Sequence, residues 1–320
     1  MTARFGREDV LEAAARIAGD VVETPLRAVT IRGVRLFVKC ECLQTGGAFK
    51  LRGATNRLKM LSAGERARGV VAFSSGNHAQ GVAIAARRLG IAATIVMPSD
   101  APRQKVEGTR ANGAAIIFYD RRTESREAIA AALAAEQGGT VVPSFDDPAI
   151  VAGQGTAGLE ILAQLDAQGA GPPPAIATPV GGGGLAAGLA LACPDAAIVG
   201  AEPWGWDDMA RSLAAGAIVP VEADAPPTLC DALQTPKVSP ITFDSLRARG
   251  ATIHAVTDAE VAAAMRWARD ALQLTVEPGG AAALAAVLAG KVELPAGSVI
   301  LLSGGNVDPD LFASLTGEGA

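Results

Sequence analysis

Lys50 is the residue whose surroundings in the sequence most directly suggest covalent chemistry. It follows the glycine loop Gly46-Gly47 and the aromatic Phe49, and it falls in the first turn of a predicted helix. Desolvation and the positive end of a helix both lower the pKa of a lysine amine. A neutral amine can form a Schiff base with a carbonyl compound, whereas the alternative is an ordinary surface lysine.

Polar side chains also cluster in residues 74–81, where a predicted strand passes into a predicted helix. Hydroxyls and N–H groups at a helix start can hold a carboxylate, although the same residues could serve as a plain helix cap. The candidates for binding a substrate carboxylate are Ser74, Ser75, Asn77 and His78. Ser303, which follows a predicted strand near the C-terminus, offers one more neutral hydroxyl.

A glycine-rich turn between another predicted strand and helix is suited to an anion. It consists of Gly181, Gly182, Gly183 and Gly184, with Leu185 opening the helix. Glycines let the backbone curl so that N–H groups approach a phosphate, and the helix start adds positive partial charge. Glycines that only permit tight packing are the alternative.

The same turn has a competing interpretation as a dinucleotide site. Gly182, Gly184 and Ala187 fit the pattern G-x-G-x-x-A, and Glu202 follows Gly182 by 20 residues. An acidic residue at about that distance binds the ribose in nicotinamide-dependent enzymes. An NAD-dependent oxidoreductase is therefore a distant alternative, which leaves the other segments unexplained.

Composition excludes several classes of protein. Hydrophobic residues make up 49% and charged residues 19% of the 320 residues, which excludes a disordered chain. The net charge of −5 disfavours a nucleic-acid partner. Because His78 and His254 are the only histidines, a three-histidine zinc site is excluded.

Cysteine usage and hydropathy favour a cytoplasmic protein. Its four cysteines form no C-x-x-C pair, and we expect them to be reduced and structural. They are Cys40, Cys42, Cys193 and Cys230. The N-terminus lacks the apolar segment of a secretory signal, and the longest Ala/Leu-rich stretch, 279–290, is too short to span a bilayer. We therefore expect no membrane partner.

The alternation of β-branched runs with Ala-rich runs predicts an α/β fold with two open, mostly parallel twisted sheets flanked by helices. Residues 69–146 could close as their own sheet, so we expect a small domain there, inserted into a large domain of residues 1–68 and 147–320. Parallel sheets bind ligands at the carboxyl ends of their strands, which predicts a site between the sheets. Strands are predicted at 34–39, 70–73, 93–97, 115–119, 140–142, 176–180, 197–201, 253–256 and 299–302, and helices at 77–89, 124–135, 156–168, 185–192, 258–272 and 279–289.

Taken together, and in their order along the chain, the segments around Lys50, Asn77, the glycine turn and Ser303 resemble those of the fold-type-II pyridoxal-phosphate enzymes. More narrowly, they resemble the serine/threonine dehydratase and serine racemase family. The resemblance extends from about Thr24 to Asn306 and implies a tryptophan-synthase-β-like fold that binds pyridoxal 5'-phosphate. It implies that Lys50 forms the Schiff base with the cofactor, Phe49 packs beside its ring, Asn77 bonds the ring hydroxyl, Ser303 bonds the pyridine nitrogen, and Gly181, Gly182, Gly183, Gly184 and Leu185 hold the phosphate.

Residues 202–208 resemble the divalent-cation loop of the same family. The resemblance implies carboxylate ligands from Glu202 and Asp208 and a backbone carbonyl ligand from Trp206. Oxygen ligands of this kind suit Mg²⁺ or another divalent cation, whereas a solvated acidic loop is the alternative. The resemblance also implies a homodimer.

The activity implied by the resemblance is loss of a β-hydroxyl group from an L-amino acid such as threonine or serine, giving a 2-oxo acid and ammonia. Lys50 would remove the α-proton as general base. In family racemases the position of Ser75 supplies a second acid or base, but dehydratases share it. Phe145 favours a dehydratase, because family racemases tend to have asparagine there, and Ala232 is expected beside it in the substrate pocket.

Other activities of the family stay open at this point. They are serine racemisation and dehydration of 3-hydroxyaspartate or phenylserine, all of which need the same core residues. The chain ends 14 residues after Asn306, so we expect no regulatory domain and no feedback by isoleucine.

Overall fold

The protein consists of two sheets flanked by helices. Its structure, a computed structural model, describes residues 5–74, 76–101 and 103–317, except for the side chain of Gln104. The predicted α/β fold class is confirmed. The strands are β1 (Leu26–Ile31), β2 (Val34–Lys39), β3 (Val70–Phe73), β4 (Ala93–Pro98), β5 (Ala115–Tyr119), β6 (Thr140–Val141), β7 (Ala175–Pro179), β8 (Ala197–Pro203), β9 (Thr252–Val256) and β10 (Val299–Leu301). The helices are α1 (Arg7–Ile17), α2 (Lys50–Lys59), α3 (Ala63–Arg68), α4 (Asn77–Leu89), α5 (Arg103–Ala111), α6 (Arg126–Gln137), α7 (Pro148–Ala167), α8 (Gly184–Ala192), α9 (Asp208–Ala215), α10 (Pro240–Ala248), α11 (Asp258–Leu272), α12 (Pro278–Leu288) and α13 (Pro309–Thr316).

The six-stranded sheet has the order β1-β2-β10-β7-β8-β9, and the four-stranded sheet has the order β5-β4-β3-β6. All strand pairs are parallel except β1 with β2. The strands of the smaller sheet fall between Val70 and Val141, within the stretch predicted to form the inserted domain. The domain boundaries themselves stay a prediction.

Strand β1 is absent from the sequence prediction and forms a hairpin with β2. The turn between Ile31 and Val34 places Arg32 at φ 50° and Gly33 at φ 78°. Two consecutive residues with positive φ produce the tight turn that suits an antiparallel pair. Arginine is an unusual choice for the first of these positions, so the usual Asn-Gly signal of a hairpin is missing from the sequence.

Helix α7 begins eight residues before the predicted start at 156. Asp147 accepts hydrogen bonds from the backbone N–H groups of Ala149 and Ile150, at 2.7 and 3.1 Å, and Pro148 occupies the first turn. An aspartate cap followed by proline is a strong start signal. The added turns pack against α2: Oε1 of Gln154 accepts a hydrogen bond from the N–H of Gly53 at 3.0 Å, and the carbonyl of Ala149 accepts one from Asn56 at 2.7 Å.

A buried network of charges joins α2, α7 and β2. Arg52 donates paired hydrogen bonds of 2.8 Å each to Glu41, and it donates two more, of 2.6 and 2.8 Å, to Glu160. Lys39 donates to Glu160 as well, at 2.6 Å. Burial raises the pKa of Glu41, but the guanidinium of Arg52 holds it below its usual range. Because Glu41 and Arg52 lie on either side of the loop before Lys50, their pairing ties the two ends of that loop together.

All four cysteines are buried and form no disulfide, in keeping with the sequence analysis. Burial raises the pKa of Cys40 to about 11 and that of Cys42 to about 12, so these thiols are protonated at neutral pH. Among the described residues, no helix is both long enough and apolar enough to cross a lipid bilayer.

The substitution Arg52→Met should destabilise the protein by ~3–5 kcal/mol, because it leaves the Glu41 carboxylate buried without its guanidinium partner. Chemical denaturation measures the free energy of unfolding. The matched control is Arg103→Met, since Arg103 pairs with Glu107 on the exposed surface of α5. The control should unfold close to the parent protein. Similar effects of the two substitutions would contradict the role of the network.

Candidate active site

A cavity of about 980 Å³, counting its solvent-open mouth, lies between the two sheets. Phe73 at the end of β3 and Pro179 at the end of β7 both line it, so it lies at carboxyl ends of strands from both sheets. The structure brings these predicted residues into its wall: Phe49, Lys50, Ser74, Asn77, His78, Gly181, Gly182, Gly183, Gly184, Leu185 and Ser303. Ser75 lies outside the described residues. Four separate segments of the chain therefore meet at one place.

Lys50 is the first residue of α2, and its side chain reaches into the cavity. Its Nζ donates a 3.0 Å hydrogen bond to the backbone carbonyl of Ser144 and lies 5.3 Å from the centre of the Phe49 ring. Burial lowers the pKa of Lys50 to about 8, although the nearby Glu277 opposes this shift. The amine is thus neutral in a useful fraction of molecules at mildly alkaline pH, as covalent or base chemistry requires.

The glycine turn leads into α8 with Gly183 at φ 84°. A side chain could not be added at its centre, because a Cβ on Gly182 would lie 2.3 Å from the Phe145 ring. The first backbone N–H groups of a helix have no partners within the helix, and they carry positive partial charge. Because glycine has no side chain, these backbone N–H groups are accessible from the cavity, where they can bind an oxyanion such as phosphate.

His78 is buried in the wall of the cavity in a fixed orientation. Its Nε2 lies 2.9 Å from the carbonyl oxygen of Val142 and must therefore donate to it. Burial lowers the pKa of His78 to about 3, so the ring is neutral and Nδ1 carries a lone pair. Among the described residues Nδ1 has no partner. The ring of His78 can thus accept a hydrogen bond from a ligand but offers it no N–H. Only the backbone N–H of His78, in the first turn of α4, could serve the substrate carboxylate that the sequence analysis assigned to this residue.

Three charged residues of the wall are absent from the sequence prediction: Arg126, Asp231 and Glu277. Arg126 is the first residue of α6, and its guanidinium lies 5.6 Å from the centre of the Phe73 ring. Glu277 caps α12 ahead of Pro278. Neither stands in a recognisable motif, because arginine or glutamate at a helix start looks in the sequence like ordinary helix chemistry.

Glu202 and Asp208 form a second, separate acidic site at the end of β8 and the start of α9. Both are fully buried, and neither carboxylate oxygen of Asp208 has a hydrogen-bond partner among the described residues. Burial raises the pKa of Asp208 to about 7. Burial also raises the pKa of Glu202 well above its usual value, and repulsion from Asp208 raises the pKa of Glu202 further. Two adjacent buried acids, of which Asp208 has both oxygens without partners, fit a divalent cation, although the described residues contain no cluster of three ligand side chains.

The same geometry overturns the dinucleotide interpretation of Glu202. Its carboxylate accepts hydrogen bonds from the backbone N–H groups of Met209 and Ala210, at 3.1 and 3.0 Å. The side chain is 0% exposed, so it cannot reach the hydroxyls of a ribose in the cavity.

Comparisons with known proteins agree on one family. The sequence profile described as "Pyridoxal-phosphate dependent enzyme" matches residues 17–304, which include every segment that lines the cavity. An L-threo-3-hydroxyaspartate ammonia-lyase from Pseudomonas sp is 44% identical over 318 residues, covering 96% of this chain and 97% of that protein. A protein of the same name from Saccharomyces cerevisiae is 42% identical, with 96% and 95% covered. A solved threonine deaminase from T.th. superposes with a TM-score of 0.87 at 43% identity, covering 94% of this chain and 98% of that one.

Proposed function

The chain belongs to the family of pyridoxal-phosphate-dependent enzymes, and from this we propose that it is an ammonia-lyase acting on L-threo-3-hydroxyaspartate. The substrate would lose its α-proton and its β-hydroxyl group, and hydrolysis would release ammonia and a 2-oxo dicarboxylic acid. The observation that carries the choice of substrate is Arg126 in the wall of the same cavity as Lys50. We also propose a homodimer, which the resemblance supports, and a cytoplasmic location, which the cysteine usage supports.

The residues of the cavity fit the cofactor. The glycine turn at the start of α8 is open to a phosphate, and the lowered pKa of Lys50 suits an amine that must be neutral to react. When bound, pyridoxal phosphate supplies an electron sink for the α-carbon of an amino acid. Lys50 would hold it covalently, Gly181, Gly182, Gly183, Gly184 and Leu185 its phosphate, Asn77 its ring hydroxyl and Ser303 its ring nitrogen.

Lys50 and the start of α4 are placed to divide the work on the substrate. With its pKa near 8, the Lys50 amine can remove the α-proton as general base. The carbonyl of Ser144 accepts a hydrogen bond from the amine and so fixes its direction. Ser74 and the N-terminal N–H groups of α4 line the same cavity, where they can bind the α-carboxylate.

Arg126 supports a substrate with a second carboxylate. A guanidinium forms paired, charge-assisted hydrogen bonds with a carboxylate, whereas the methyl group of threonine offers it none. Among the described residues the Nε of Arg126 donates to Glu127 at 2.9 Å, and its two terminal nitrogens remain available for a second carboxylate. Phe145, which favours a dehydratase over a racemase in the sequence analysis, packs against Gly182 of the glycine turn. Its aromatic ring is therefore explained by contact with the turn, and it need not select a substrate side chain. We therefore propose hydroxyaspartate as the substrate, in place of the threonine or serine that the sequence analysis favoured.

We also propose that Glu202, Asp208 and the backbone carbonyl of Trp206 hold Mg²⁺ or another divalent cation. The unpartnered oxygens of the buried Asp208 support this proposal, since ligation by a cation would offset the cost of burying them. The site lies between the end of β8 and the start of α9, and its two carboxylates do not line the cavity. We therefore expect the role of the cation to be structural.

The substitution Lys50→Ala should abolish both turnover and the visible absorbance of bound cofactor, because Lys50 is the single lysine that the described residues contribute to the cavity wall. Lys237→Ala, at an exposed position, serves as the control and should keep both properties. Ammonia release is measured together with the absorption spectrum. Turnover by the Lys50→Ala protein would refute the proposed mechanism.

The substitution Arg126→Met should lower kcat/KM for L-threo-3-hydroxyaspartate about 10- to 100-fold, the usual value of a charge-assisted hydrogen bond. The loss for L-serine should be much smaller, because serine has no second carboxylate. Arg122→Met, a nearby exposed arginine, is the matched control. Equal losses for both substrates would count against the proposed recognition.

The same substrate panel tests the other activities that the sequence leaves open. Chiral analysis of the serine reaction would reveal racemisation as D-serine, and phenylserine would yield phenylpyruvate. If either reaction outpaced elimination from hydroxyaspartate, the proposed substrate would be wrong.

Saturating Mg²⁺ or Ca²⁺ should raise the Tm of the chelator-treated protein. Asp208→Asn should remove this increase, since it replaces a proposed ligand by a neutral amide. Asp207→Asn is the control, because the neighbouring Asp207 is partly exposed and pairs with Arg211. A cation response that survives in Asp208→Asn would argue against this site.

A further inference from the structure

Glu277 is a buried carboxyl group that the proposed mechanism leaves without a role. It precedes Pro278 at the start of α12, is 2% exposed and lines the cavity together with Lys50 and Ser303. The chain leaves space for it, because a Cβ on Gly304 would lie 2.1 Å from its Oε1. A buried acid is costly unless its oxygens find partners, so its presence calls for an explanation.

One oxygen of Glu277 is used to orient Asn77. The Nδ2 of Asn77 donates a 2.5 Å hydrogen bond to Oε1 of Glu277, while Oδ1 of Asn77 accepts a 2.8 Å hydrogen bond from Asn306. Asn306 is itself tied to the carbonyl of Gly46, at 2.7 Å. An amide held by an acceptor on its nitrogen side and a donor on its oxygen side cannot flip without losing both bonds. The second N–H of Asn77 is thereby held in one orientation.

The other oxygen of Glu277 is buried and has no partner among the described residues. The charged or titratable groups that act on Glu277 are Lys50 on α2, Lys105 on α5, and Cys230 and Asp231 on the segment before α10. Lys105 forms an ion pair with Asp231. Lys50, in contrast to Lys105, has no carboxylate partner among the described residues, since its Nζ donates to the carbonyl of Ser144.

We propose that Glu277 is a positioning residue of this site, which orients the Asn77 amide and sets the charge state of Lys50 by contributing a carboxyl group to the same cavity wall. The proposal rests on Lys50 being the cofactor lysine, and it holds for any amino-acid substrate.

The two groups titrate close enough to influence one another. Burial raises the pKa of Glu277 to about 7 and lowers that of Lys50 to about 8. An ionised Glu277 favours the charged ammonium form of Lys50, whereas a neutral Glu277 favours the free amine. Glu277 thereby sets how strong a base Lys50 is near neutral pH.

Competitive labelling of the cofactor-free protein with acetic anhydride tests the proposal, with the Lys50 peptide quantified by mass spectrometry across pH. Glu277→Gln keeps the shape and an acceptor for Asn77 but removes the negative charge. It should lower the labelling midpoint of Lys50 by about one pH unit. Glu277→Asp, which keeps the charge, should remain nearer the parent. Glu222→Gln, the same change at an exposed position, should have no effect.

A residue with a merely structural role would change Tm and leave the Lys50 midpoint where it was, and that result would overturn the proposal. A reciprocal measurement guards against misfolding of the Gln variant. In protein carrying ¹³C-carboxyl glutamate, Lys50→Ala should raise the NMR titration midpoint of Glu277, because it removes a neighbouring positive charge. An unchanged midpoint would refute the coupling. Failure of the proposed function would show instead as absent cofactor uptake in the parent protein.

Discussion

The site depends on a close backbone contact between the loop before Lys50 and the segment after β10. The N–H of Phe49 donates to the carbonyl of Ser303 at 3.2 Å, and the N–H of Gly305 donates to the carbonyl of Gly47 at 2.8 Å. A Cβ on Gly47 would lie 2.1 Å from Oδ1 of Asn306, so a larger residue could not be accommodated there. Glycine thus allows two distant stretches of chain to touch, and this contact keeps the Lys50 amine and the Ser303 hydroxyl in one wall.

The buried polar and charged groups of the protein are of two kinds, those with hydrogen-bond partners and those without. Around Arg52 every charge is matched by an opposite one through short hydrogen bonds, which holds α2 and α7 in place. In contrast, Oε2 of Glu277, Nδ1 of His78 and the oxygens of Asp208 are buried without partners among the described residues. Such atoms are rare in folded proteins because they cost stability. Unpartnered buried atoms also occur on Thr55, Gln154 and Ser298, away from the cavity. An unpartnered atom therefore points to a ligand, a cation or a proton only where it also lines the cavity or belongs to the acidic pair of Glu202 and Asp208.

How much the sequence predicts depends on whether a signal is local. Strand β2 and helices α4 and α11 have the bounds predicted from periodicity and caps. The glycine turn, Lys50, Asn77 and Ser303 come together because each follows a strand, and the ends of parallel strands share an edge. Glu277 and Arg126 escape prediction because their roles arise from contacts between distant segments: the bond from Glu277 to Asn77 spans 200 positions in the sequence.

This division between local and distant signals also bears on substrate choice. The residues proposed to hold the cofactor lie in motifs, and elimination of a β-hydroxyl group needs the same motifs whatever the substrate. Relatives at comparable identity nevertheless bear the names of a hydroxyaspartate ammonia-lyase and a threonine deaminase. Selectivity must therefore come from wall residues outside the motifs. Arg126, the first residue of α6, lines the cavity outside those motifs, and our proposal assigns it this role. A positive group there would lower the cost of burying a second carboxylate while giving no advantage to a hydroxyl or methyl group.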